Sequence, residues 1–119
     1  VDGLCADVSD AARALVAAFW PGRLTLVLAA QPSLAWDLGD DGRTVAVRMP
    51  DHPAVAALLR RTGPLAVTGA HRTGQVAPVR LAEALDALEG VQLALDAGDL
   101  PTGERSTVVD ATGPVPRLL

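Results

Sequence analysis

The chain has no lysine: all ten of its basic residues are arginines. That removes any phosphate loop of the GxxxxGK[ST] type. Cysteine is equally scarce, with Cys5 alone, so an intrachain disulfide and a thiolate zinc cluster are both excluded. A reducing, cytoplasmic setting fits. Aromatic residues make up only 3% of the chain, which leaves few platforms for stacking on nucleic-acid bases. No apolar run reaches the ~18 residues that span a bilayer, so no membrane association is expected. The opening stretch VDGLCADVSD has no basic n-region, no signal-peptide core and no initiator Met, and reads as cut from something longer. A formal charge of −4 and a pI near 4.9 argue against generic attraction to polyanions.

What is present is small and aliphatic. Half of the 119 residues are hydrophobic, so the core must be built from Ala, Val and Leu. The length suits a single domain, residues 1–119. Ser9 reads as a helix N-cap, with Asp10 in the first turn and Ala12, Leu15, Val16 and Phe19 at helical spacing. Pro21-Gly22 stops that helix. "RLTLVLAA" (residues 23–30) reads as a strand, followed by a loop with Trp36 as an anchor. "TVAVRMP" (residues 44–50) is a second strand. Asp51 caps the next helix, where Pro53 is tolerated in the first turn and Val55, Leu58 and Leu59 form the stripe. A third strand is expected at residues 65–68. Leu81, Ala84, Leu85 and Leu88 then make a helical face closed by Gly90. Val91, Leu93 and Leu95 alternate as in a half-buried strand, and "STVVD" and "VPRLL" supply two more. The class is α/β, with a twisted mixed sheet and flanking helices.

Polar motifs fall at strand ends, where such folds bind ligands. Strand alternation puts Thr44, Ala46 and Arg48 on one face, opposite Val45 and Val47. Arg48 can face solvent there, or reach into a cleft and hold a carboxylate or phosphate in a bidentate fork. A Ser106–His71–Asp triad lacks the Gly-x-Ser-x-Gly elbow. His52 and His71 lack any HxH or HExxH spacing, so no metal ligands and no catalytic side chains are assigned.

Four stretches go further. "AFWPGRLTLVLAA", "TVAVRMPDHPAVAALL", "GPLAVTGAHRTGQVAP" and "STVVDATGPVPRLL", in this order, resemble the YrdC family of threonylcarbamoyl-AMP synthases. The resemblance covers essentially the whole chain but begins partway into the family's domain, because the family's opening lysine-and-arginine (KxR) motif has no counterpart here. It implies a YrdC-like fold, incomplete at the N-terminus. It further implies a nucleotidyltransferase of tRNA modification that joins ATP, bicarbonate and L-threonine into L-threonylcarbamoyl-AMP and pyrophosphate with Mg²⁺. Partner proteins then pass the threonylcarbamoyl group to a tRNA adenosine. Carried over position by position, Thr44, Gly69 and Ala77 would contact ATP, while Arg48, Val67 and Ser106 would contact threonine. The family's Ser-Ala-Asn loop has become Gly69-Ala70-His71, so a hydroxyl is lost and His71 stands in place of an amide. Other readings of the same resemblance are a segment of a larger carbamoyltransferase and a non-catalytic or truncated binding module. In none of them does the chain bind nucleic acid tightly by itself.

Overall fold

Ser9 opens the first helix as its side chain suggests. Its hydroxyl accepts the Ala12 N–H at 3.2 Å, meeting one of the donors that a helix start leaves unpaired. The helix, α1, runs Asp10–Phe19. In this computed structural model, which describes residues 1–39, 42–101 and 103–119, the chain divides into two units. The first comprises Val1–His52 with Ser106–Leu119, and the second Pro53–Arg105.

In the first unit, Ala12 is fully buried and Leu15 and Val16 pack against the core, whereas Phe19 is exposed. The helical stripe is therefore narrower than its spacing predicts. The chain turns at Trp20-Pro21, a cis peptide, and the Trp20 indole N–H donates to the Leu24 carbonyl at 2.7 Å. Trp20, not Trp36, is thus the anchoring tryptophan. Trp36 stays 41% exposed, and its loop sends Leu38 to the core instead.

Strand β1 (Leu24–Ala29) lies inside a mixed sheet of order β2-β1-β3-β4. Antiparallel β2 (Thr44–Val47) flanks it on one side and parallel β3 (Thr107–Asp110) on the other, with β4 (Arg117–Leu118) antiparallel on β3. Leu24, Leu26 and Leu28 point to one face, where they pack with Cys5, Ala12, Val45 and Ala111. Each fully buried leucine contributes roughly 1.5–3 kcal/mol. Thr25, Val27 and Ala29 point to the other face.

The second unit holds α2 (Pro53–Thr62) and α3 (Leu81–Ala87). Arg60 and Arg61 lie in the last turn of α2, where cations suit the helix dipole. Gly63 follows at φ 75°. Two expectations fail here. Residues 65–68 and 91–95 carry strand patterns, yet neither forms a strand. Val67 is 88% exposed and Leu93 80%. A strand exists only as one member of a pair, and these segments have no paired partner among the described residues. The third helix also stops earlier than Gly90 suggests, capped at Leu88. Among the described residues, none in this unit is fully buried.

Candidate ligand-binding face and loop

The β-sheet register of the first unit decides which side chains share a face. Val27 pairs with Ala46 and Ala29 with Thr44, while Thr25 pairs with Val108 and Val27 with Asp110. Alternation therefore puts Thr44, Ala46, Thr25, Val27, Ser106, Val108 and Asp110 on the face opposite the leucines. It is a surface of small and polar side chains, none of them fully buried. Two residues nominated by the sequence, Thr44 and Ser106, lie on it.

Arg48 lies one residue past the end of β2, so the strand is shorter than residues 44–50 suggest. The ladder between β1 and β2 ends at Leu26–Val47, and Arg48 follows directly after it. Gly22 holds it there. The Gly22 N–H donates to the Met49 carbonyl at 2.7 Å, and the Gly22 carbonyl accepts Arg48 Nε at 2.9 Å. A side chain on Gly22 would drive its Cβ into the Phe19 carbonyl, so close approach requires glycine here. Among the described residues nothing else engages Arg48, and its two terminal nitrogens are left to meet a ligand as a fork. Thr44 lies four residues away along the strand, roughly 13 Å at ~3.3 Å per residue. A carboxylate held at Arg48 and a nucleotide touching Thr44 would fit one extended site.

Ser106 immediately precedes β3, and its hydroxyl is 2.7 Å from that of Thr25. At the far end of β3, Asp110 accepts the Thr112 hydroxyl at 2.6 Å, the Thr112 N–H at 3.0 Å and Arg117 Nη2 at 3.0 Å. The Thr112 hydroxyl and N–H, with Arg117, hold its carboxyl down to about 2. Asp110 is thus engaged in fastening the sheet's end. Burial pushes the Cys5 thiol up, so it is no nucleophile.

The remaining nominated residues (Val67, Gly69, His71 and Ala77) belong to the second unit. His71 and Ala77 line a cleft of about 530 Å³ there, together with Gln75, Pro78 and Glu83. The size is that of a small-molecule site. The His71 ring lies over Gly69: a Cβ built on Gly69 would be 2.7 Å from Nδ1 and in harder collision with Cε1. Arg105 Nη2 is 3.4 Å from His71 Nε2. A guanidinium only donates, so Nε2 is the acceptor in this contact. His71 Nδ1 is buried without a partner among the described residues.

Sequence reasoning missed Gly22 and Thr25. Gly22 reads only as a helix stop, but Thr25 was legible as the polar residue alternating with three leucines.

An α/β domain with a mixed sheet, one face apolar and the other small and polar, with an arginine directly after β2, is the class that these observations define. The model of the Sua5/YciO/YrdC family, described as telomere recombination, matches residues 1–119, and the chain belongs to that family. A relative from Mycobacterium tuberculosis (strain H37Rv) is 47% identical over 120 residues, across 100% of this chain and 55% of its own length. The threonylcarbamoyl-AMP synthase of Bacillus subtilis is 34% identical over 122 residues, covering 100% of this chain and 35% of the bacillar protein. The crystal structure of Pyrococcus abyssi Sua5 complexed with L-threonine superposes with a TM-score of 0.86 at 33% identity, over 98% of this chain and 35% of that one. The chain thus spans about half the length of the mycobacterial relative, and less of the others.

Proposed function

We propose that this chain carries the threonine-carboxylate contact and part of the nucleotide contact of an L-threonylcarbamoyl-AMP synthase. The observation that carries the reading is Arg48, fastened through Nε to Gly22 with its outer nitrogens unengaged, directly after the strand that carries Thr44. The activity named for the Bacillus subtilis relative and the L-threonine in the Pyrococcus abyssi complex support it.

In the reaction, the threonine amine takes up bicarbonate with loss of water to give a carbamate. A carbamate oxygen attacks the α-phosphorus of ATP; the new P–O bond forms as the bond to the β-phosphate bridge breaks, and pyrophosphate leaves. Positioning and charge neutralisation supply most of such catalysis. In the first unit Arg48 fixes the threonine carboxylate, Ser106 flanks that substrate and Thr44 borders the nucleotide. Among the described residues no group of three or more His, Cys, Asp or Glu forms a metal cradle. Mg²⁺, implied by the resemblance, would supply neutralisation of phosphate charge alongside these residues. Partner proteins hand the product's threonylcarbamoyl group to tRNA, in the cytoplasm where these substrates occur.

A second reading, a binding module without turnover, is favoured by the Gly69-Ala70-His71 loop, where the resemblance implies Ser-Ala-Asn. Calorimetry with L-threonine tests the common part. Arg48→Ala should weaken binding at least tenfold, about 1.4 kcal/mol, and Arg48→Lys should restore it only in part, since an ammonium lacks the fork. Unchanged affinity in Arg48→Ala would refute the assignment. Pyrophosphate release dependent on both threonine and bicarbonate separates the two readings.

A further inference from the structure

We infer that Thr25 is a positioning residue for the threonine site, setting the direction in which Ser106 presents its hydroxyl. The inference rests on the function proposed above and adds a residue to it. Its basis is the 2.7 Å contact between Thr25 Oγ1 and Ser106 Oγ, 81 residues apart in sequence.

Three features make Thr25 the anchor and Ser106 the group that is anchored. Thr25 sits in β1, paired with Val108 of β3 and directly before the ladder with β2 begins at Leu26, so its backbone is held in the sheet. Its β-branched side chain has few χ1 choices. Ser106 precedes β3 rather than lying within it, and serine is free to rotate about χ1. A hydroxyl is one donor and two acceptor sites; once one of these is committed to Thr25, the rest are confined to a fixed arc. The register pairs Thr25 with Val108, and the next residue, Leu26, is paired with Val47, directly before Arg48.

Thr25→Val keeps the volume and the strand preference but deletes the hydroxyl, and Thr25→Ser keeps the hydroxyl. On the 119-residue chain, three-bond NMR couplings of Ser106 report its χ1 without any ligand. Wild type and Thr25→Ser should each show one rotamer, and Thr25→Val an average over several. L-threonine affinity should fall three- to tenfold in Thr25→Val, return to within twofold in Thr25→Ser, and show no further loss when Thr25→Val is added to Ser106→Ala. A single Ser106 rotamer in Thr25→Val overturns the inference, as does an equal loss of affinity in the Ser106→Ala background. Rotamer averaging in Thr25→Val with no threonine binding by wild type would uphold Thr25 as the anchor and overturn the proposed function instead.

Discussion

Replacing Gly69 by alanine probes the altered loop directly. Its φ lies outside the left-handed region, so an alanine meets no backbone objection, and in an open loop it would stabilise by about 0.4–1 kcal/mol through the unfolded state. The imidazole of His71 prevents that. The new Cβ would lie 2.7 Å from Nδ1 and closer still to Cε1, an overlap of the kind that costs about 1–3 kcal/mol if nothing moves. The ring can swing away, but doing so gives up the 3.4 Å contact of Nε2 with Arg105, worth ~0.5–1.5 kcal/mol at most. Gly69→Ala should therefore destabilise by about 1 kcal/mol, and in a His71→Ala background it should be neutral or mildly stabilising. The coupling, ~0.5–1.5 kcal/mol, is read from a double-mutant cycle of urea midpoints followed by helical circular dichroism. Serine at position 69 should behave like alanine, because the collision is with Cβ. Additivity within ~0.3 kcal/mol would refute the reasoning.

Two other outcomes are expected. Asp110 is held down to about 2, against an ordinary 3.8, by the Thr112 hydroxyl and N–H and by Arg117. Its anchorage is therefore fully present above pH 4 and is lost as the pH falls toward 2; an acid titration followed by circular dichroism should lose that dependence in Asp110→Asn, and identical wild-type and mutant curves would count against it. The chain alone should bind tRNA more weakly than about 1 µM at physiological salt, since its charge is −4 and aromatics are few; a tight, steeply salt-dependent shift in a gel assay would contradict this.

The first unit was the more legible half, for a physical reason. In β1 and β2, alternation is enforced by a core on one side, so the leucines betray the opposite face. That is why alternation alone puts Thr44 and Ala46 on the face opposite the leucines. The same rule failed at Val67 and at Leu93, because alternation records a preference for being half-covered and says nothing of whether a partner strand exists. The hydrogen bond from Arg48 to Gly22, and the ring of His71 over Gly69, depend on loop conformations that no periodicity encodes. Their only trace in the sequence is a glycine, which signals many things besides close approach.

The order of the strands bears on how such a protein can change over time. β2 and β3 flank β1, and near one end of it Val47 lies beside Leu26 while Thr107 lies beside Leu24. The chain thus leaves the sheet after β2 and rejoins it at β3 from neighbouring tracks, roughly 10 Å apart across two strand spacings. Everything between His52 and Ser106 is an excursion whose two roots are almost in register. Such a stretch can lengthen, shorten or drift in composition without a single ladder hydrogen bond of the sheet being redrawn.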